Sequence, residues 1–384
     1  MMISATLLYD FVHCPHRVSM DAFGDAAIRD ETSPFVELLW EQGLVHESAI
    51  AEGLKITANM KLIDLADRER ETLTAMARHE PLIYGGRLSA GELVGEPDLL
   101  EWTGSGYVAG DIKSGSGFDG DESQGKFKKH YAFQLAHYVF ILEQLGFSAS
   151  DRSAYIVDRD SRRVAYSLME AQGIRNTATW WENYLEALTE IRAILSQTKK
   201  SRPALSSACG LCRWQSSCKE VLEQAGDLTL IAEFGWAKRD KISGVIPTIQ
   251  AFADSSPHNY VQGKKTVFPG IGPGTLLKFQ SRALLLTTPG ATAFLKERVD
   301  LPSSQKEVFF DIEADPMRDV VYLHGFVERD YASPATATFN PYFAAGIESI
   351  HEEAAFKGAW EYITARVQDS IIYYYSKYER TEYK

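Results

Sequence analysis

Two carboxylates and a lysine carry the sharpest chemical signal in this sequence. Asp98 closes the stretch Gly95-Glu96-Pro97-Asp98, and Asp111-Ile112-Lys113 follows after an intervening Gly-Ser-Gly turn. A hairpin built on that turn brings both carboxylates to one end of a sheet. Hard carboxylate oxygens at such a point suit Mg²⁺ or Mn²⁺, and a neighbouring cation suits an attacking water and a phosphate gaining negative charge. The chemistry indicated is phosphodiester hydrolysis. Asp-Xaa-Lys is a common triplet by itself, so the weight rests on its surroundings. His46, on an amphipathic helical stretch, offers a nitrogen ligand that would favour Mn²⁺ at one position. Gln134 and Tyr138 stand four apart in a helical pattern, so an amide and a phenol share a face where they can contact substrate or orient the lysine.

The four cysteines make the second signal. Cys209, Cys212 and Cys218 fall in one short stretch, and Cys14 lies far upstream beside Pro15. Disulfides are a poor reading for a chain with no sign of export, and Cys209 and Cys212 are too close for an ordinary structural bridge. Four thiolates satisfy a closed tetrahedral zinc site or a four-iron cluster, and the spacing leaves both open. Either would pin the N-terminus to a segment almost the length of a domain away and couple metal binding to folding.

These groups need elements to hold them. The chain has 384 residues, 45% hydrophobic and 24% charged, which implies two or three folded units and no general disorder. No apolar run approaches the roughly 20 residues that span a bilayer, and the first residues lack a basic n-region, so a soluble, cytoplasmic protein without membrane attachment is expected. The net charge of −12 disfavours nonspecific attraction to a polyanion, although Lys126 to His130 and Lys199 to Arg202 offer local phosphate tracks. Ser33-Pro34 predicts a capped helix start for the stretch holding His46. Residues 82–113 read as strands joined by Gly-rich turns, and 130–146 as a helix. A hairpin follows around Asp158 to Arg163, then a long amphipathic helix from Thr179. The pattern is α/β.

Beyond the cysteines the character changes. Phe268 to Gly274 resembles the Gly-h-Gly hairpin of helix-hairpin-helix DNA-binding modules. In those, Gly270 and Gly272 would let backbone N–H groups approach a phosphate, and Lys278 and Arg282 add charge. Phe309-Phe310-Asp311-Ile312-Glu313 resembles the first motif of the DEDD exonucleases, in which an RNase H-like strand presents two carboxylates to metal ions, with Glu379 near the position of the second motif. From Glu307 only about half the length that such a fold needs remains, so a fragmentary member is expected, with the Asp311–Glu313 metal centre inactive alone.

Taken in order, Cys14, His46, Pro97-Asp98, Asp111-Ile112-Lys113, Gln134-x-x-x-Tyr138, Cys209, Cys212 and Cys218 resemble the PD-(D/E)XK nucleases of the RecB type. The resemblance is to the branch with a split four-cysteine iron-sulfur site, which includes the AddB subunit and the CRISPR-associated RecB-like exonucleases. It implies a restriction-endonuclease-like core with helical additions over residues 1–225, then a helix-hairpin-helix-like segment at 226–300 and an incomplete RNase H-like unit at 301–384. It further implies that His46, Asp98, Asp111 and the Ile112 carbonyl hold Mg²⁺ or Mn²⁺, that Lys113 assists the nucleophile, that Gln134 and Tyr138 support substrate binding, and that the cysteines hold a 4Fe-4S cluster. The expected activity is DNA hydrolysis, as an exonuclease on single-stranded or frayed ends. A superfamily-one helicase, fused or in trans, is the expected partner. The alternative is a noncatalytic iron-sulfur or zinc module that delivers DNA to a helicase.

Overall fold

The computed structural model describes residues 1–119, 126–149, 151–172, 177–315, 320–332 and 337–383. The chain is α/β and divides into two units, Met1–Thr292 and Ala293–Lys384. The first unit opens with β1 (Ile3–Ser4), α1 (Ala5–His13), α2 (Pro15–Phe23) and α3 (Pro34–Gly53), followed by β2 (Ala58–Asn59) and α4 (Leu65–Ala77). Short strands β3 (Leu82–Tyr84), β4 (Leu88–Ala90), β5 (Leu93–Gly95), β6 (Leu99–Trp102) and β7 (Tyr107–Ile112) lead into α5 (Lys129–Leu145). The hairpin β8 (Ser153–Val157) and β9 (Arg163–Ser167) and the helix α6 (Trp180–Leu195) complete this part.

Local chemistry accounts for the helix boundaries. Ser33 Oγ accepts the Val36 N–H at 3.3 Å, and Pro34, which has no N–H to satisfy, occupies the first helical position of α3. Thr179 and Glu182 form a reciprocal capping box at α6. At the end of α5, Gly146 takes a left-handed φ of 75° that stops the helix.

A six-stranded mixed sheet runs in the order β2-β3-β6-β7-β8-β9, beside a three-stranded sheet β1-β5-β4. Between the parallel strands β7 and β8 the chain crosses over through α5, which is buried along most of its length and packs on α1, α6 and both sheets. The fully buried His137 on α5 ties these layers together. Its Nε2 lies 3.1 Å from the Ile3 carbonyl and 3.0 Å from that of Val94, and its Nδ1 lies 3.1 Å from the Tyr184 hydroxyl. One imidazole thus joins β1, β5, α5 and α6.

After a 3₁₀ turn at Ser207–Leu211 come α7 (Gln215–Gln224), α8 (Trp236–Ile242) and α9 (Ile249–Ala253). A two-residue hairpin follows, made of β10 (Val261–Gln262) and β11 (Lys265–Thr266), and then α10 (Pro273–Thr287). This stretch has its own apolar cluster, with Phe234, Phe252, Phe268 and Phe279 at its centre. The second unit is a sheet of β12 (Lys306–Asp315), β13 (Val320–Asp330), β14 (Ala337–Phe343) and β15 (Ser370–Tyr374) in the order β14-β13-β12-β15, with β15 parallel to β12. The helix α11 (Ser349–Thr364) packs on β13 and β14, and α12 (Lys377–Glu382) follows the last strand. Val308, Phe310 and Ile312 point into the core while Phe309, Asp311 and Glu313 stay exposed, the period-two alternation of a strand covered on one face.

Burial holds the His137 imidazole neutral, pushing its pKa down to about 4 despite the two carbonyls that favour the proton. The unfolded chain takes up that proton near the ordinary value of about 6.5, so it binds more protons than the fold between those limits. Stability is therefore complete above about pH 6.5 and falls by up to about 3 kcal/mol as pH drops towards 4. Urea unfolding of wild-type and His137→Gln protein should show a shallower acid slope in the variant; identical slopes would exclude His137 as the titrating group.

Candidate active site

Strand register places the two sequence-predicted carboxylates. β6 pairs antiparallel with β7, Leu99 opposite Gly110 and Leu100 opposite Ala109, and continuing one step sets Asp98 opposite Asp111. Asp98 Oδ2 accepts the Ile112 N–H at 2.8 Å, which fixes the carboxyl across the strand ends. The backbone N–H of Lys113 donates to the Val157 carbonyl at 2.9 Å, so the ladder with β8 holds the lysine just past the end of β7. Its Nζ lies 2.5 Å from Asp111 Oδ2, an oxygen that is buried and makes no hydrogen bond of good geometry.

The electrostatics follow from this crowding. Burial raises the Asp98 carboxyl well above the usual range, and the charge of Asp111 adds to it, with a smaller push from Glu47 and opposition from Lys113. For Lys113 burial works against the charged form, but Asp111 and Asp98 together outweigh it and its pKa is raised. The lysine is a fixed cation here. It also lies 5.6 Å from the centre of the Tyr131 ring, whose hydroxyl is pushed up to about 12 by burial.

A cleft of about 620 Å³ opens over these groups. Ser4, Ala5 and Thr6 at the start of α1, Asp98, Asp111, Ile112 and Lys113 from the strand ends, and Gln134 and Tyr138 from α5 all line it. Gln134 is buried with its Oε1 unpartnered. Tyr138 reaches the Glu96 carbonyl at 3.4 Å, and Gly95 makes room for it, since a Cβ there would stand 2.8 Å from the Tyr138 ring. The structure thus brings Asp98, Asp111, Ile112, Lys113, Gln134 and Tyr138 into one cleft, as the sequence pattern requires.

His46 sits on α3, but the cleft is lined there by the next residue, Glu47; the His46 Nε2 is buried without a hydrogen-bond partner. Glu47 is held at 2.9 Å by the Tyr84 hydroxyl and at 3.0 Å by Lys61. Sequence reasoning missed Glu47, Trp40 and Leu44. The available signal was their placement on α3 with Leu39 and Gly43, at offsets that share a helical face.

The two carboxylates offer hard oxygens, buried side by side, that suit a divalent ion, and Lys113 already supplies one positive charge to Asp111. Among the described residues, no three His, Cys, Asp or Glu side chains are already posed as a closed ligand set.

The cysteines converge at the far end of α1. Cys14 lies between α1 and α2, Cys209 in the 3₁₀ turn, Cys212 just after it and Cys218 on α7, and all four, as free thiols, line one pocket. Burial pushes the Cys218 thiol up to about 12, with the other three cysteines adding to it, and Cys14 and Cys212 are also raised by burial. The pocket is braced by Trp214, which is fully buried, donates its indole N–H to Asp21 at 2.8 Å, and is covered by the Arg29 guanidinium. Nothing in the cysteine spacing singles out this tryptophan.

In the stretch 226–300, Gly270 adopts a φ of 80°, open to glycine at little cost. Lys278 and Arg282 do not stand free: both bind Glu233, at 2.5 and 3.0 Å, and Arg282 also donates to the Ala232 carbonyl. In the second unit Asp311 and Glu313 share the exposed face of β12. Asp311 lies close to Glu379, which is buried and accepts from the Ser376 hydroxyl at 2.8 Å.

No helix among the described residues is long and apolar enough to cross a membrane. The family model of the PD-(D/E)XK nuclease superfamily matches residues 9–219, a span that begins before Cys14 and ends after Cys218. No curated protein matches the chain.

Mn²⁺ or Mg²⁺ is expected to raise the Tm of the protein by binding the folded state alone. Asp98→Asn should remove that shift and leave the metal-free Tm equal or higher, because the variant no longer holds a buried like-charge pair together. The shift should also shrink as pH falls, since the raised pKa of Asp98 lets a proton compete with the ion. Full metal stabilisation of Asp98→Asn in a thermal melt would exclude Asp98 as a ligand.

Proposed function

Since the chain belongs to the PD-(D/E)XK nuclease superfamily, we propose that it is a metal-dependent DNA nuclease of the RecB-like type, working in the cytoplasm as an exonuclease on single-stranded or frayed ends. The observation that carries this reading is the register-set pair Asp98 and Asp111 with Lys113 beside them in an open cleft. Asp98, Asp111 and the Ile112 carbonyl would hold Mg²⁺ or Mn²⁺, with His46 as a nitrogen ligand if α3 turns its ring inward. When bound, the ion polarises the phosphate and lowers the pKa of a water. Lys113 keeps its charge and faces the phosphate oxygens as they gain negative charge. Gln134 would offer its unpaired amide oxygen as an acceptor in the cleft, and Tyr138 braces the segment leading to Asp98. A superfamily-one helicase, fused or in trans, would supply the unpaired strand.

The cysteine pocket is part of the same reading, as a structural clasp that holds a 4Fe-4S cluster, with zinc as the alternative. Its support is that four free thiols line one pocket and that burial, with the charge of neighbouring cysteines, raises the pKa of Cys14, Cys212 and Cys218, so that a bound cation would favour their thiolate forms. We also assign Gly270 and Gly272 to backbone contact with a DNA phosphate, without Lys278 and Arg282, whose charge is directed at Glu233. In the second unit, the strand order β14-β13-β12-β15 and the meeting of Asp311 with Glu379 support an RNase H-like reading, with Asp311 and Glu313 as a second metal site.

Protein purified without oxygen and given Mn²⁺ should degrade labelled single-stranded DNA, and Asp111→Ala should lower the rate at least about a hundredfold. If wild type and variant both leave the DNA intact, the chain is a noncatalytic module. Iron analysis with a broad visible absorbance lost in Cys212→Ser is the expected sign of the cluster; a colourless protein holding one zinc would replace cluster with zinc.

A further inference from the structure

The cleft has two chemically different walls. Asp98, Asp111, Lys113 and Gln134 form one, and Leu39, Trp40 and Leu44 of α3 form part of the other. α3 is anchored at its C-terminal end, where Ala51 is buried and Glu47 is tied to Tyr84 and Lys61. Its earlier turns leave Phe35, Trp40, Leu44 and Val45 half or more exposed, with Trp40 at 61%. Among the described residues Trp40 stacks on no other ring. Gly43 lies between Trp40 and Leu44 on the cleft face, and nothing stands within 4 Å of where its Cβ would be. A mid-helix glycine weakens a helix relative to alanine; here it leaves an open slot beside the indole.

An exposed apolar patch of this kind marks a binding surface. Its continuity with the carboxylate wall identifies the occupant, because a nucleotide strand is charged along one edge and apolar along the other. We infer that Trp40 is a base-stacking platform, which takes an unpaired base of the strand whose phosphate faces Asp98 and Asp111. The inference rests on the nuclease reading for the identity of the strand and adds the residue that makes the cleft selective for unpaired DNA. In a duplex the bases remain stacked on one another and only sugar and phosphate reach the indole. Stacking tolerates any base, so the preference is for strandedness and not for sequence.

Fluorescent oligonucleotides, single-stranded and duplex, are titrated with wild type, Trp40→Phe and Trp40→Ala in Ca²⁺, and cleavage is followed separately in Mn²⁺. The exposed position makes both variants foldable, which thermal melts verify. Trp40→Ala should weaken single-strand binding about tenfold or more, leave duplex binding unchanged, and lose the wild-type sensitivity to an abasic site in the strand. Trp40→Phe should retain most of the affinity. Equal single-strand binding by Trp40→Ala, equal losses on both DNAs, or a change in oligomeric state in place of DNA binding would each overturn the assignment. Absence of cleavage by wild type overturns the nuclease reading instead, and the binding comparison still decides the role of Trp40.

Discussion

Two carboxylates that repel one another are held side by side by a few residues of antiparallel register, and much of the first unit serves to keep them there. The pairing of β6 with β7 sets Asp98 against Asp111, the Ile112 N–H clamps Asp98, and the neighbour β8 extends the ladder to Lys113. Such an arrangement is unfavourable by itself, because burial and like charge both oppose ionisation. It persists because α5 is buried among both sheets and two helices, with His137 hydrogen-bonding across the layers and Tyr138 closing over Gly95. The surrounding core is closely packed, so the carboxylates stay side by side, with Lys113 as the cation that faces Asp111.

The charge distribution bears on how such a protein would meet a polyanion. The net charge is −12, and the basic stretches that suggested a phosphate track are largely engaged within the chain. Lys126 pairs with Asp119, Lys199 with Glu190 and Arg202 with Asp227, while Lys128 and Lys129 lie over the rings of Tyr131 and Phe133. Lys278 and Arg282 are likewise drawn to Glu233. In the nuclease reading proposed above, a broad basic surface would contribute little, and recognition would rest on groups that act at short range, the Lys113 ammonium first among them.

The cysteine pocket illustrates a second constraint. Cys14 and the later three cysteines sit on separate short elements, yet Trp214 joins them by packing against Gly24 and by its bond to Asp21. Protein contacts thus bring the two ends of this long loop together.

From the sequence alone, the α/β class, the strand ends carrying Asp98 and Asp111, the capped start of α3, the shared face of Gln134 and Tyr138 and the grouping of the cysteines were all legible. Each depends on local periodicity, capping or spacing, which neighbouring residues along the chain decide. The tertiary structure decided which of the adjacent residues His46 and Glu47 turns to the cleft, because one residue on a helix is a rotation of about 100° and only packing against Tyr84 and Lys61 sets its sense. It also decided that Lys278 and Arg282 meet Glu233, that Trp214 is the brace of the cysteine pocket, and that Trp40 is left bare above the carboxylates. Those outcomes rest on contacts between residues distant in the chain, where residue type gives the chemistry available and only the fold gives the partner.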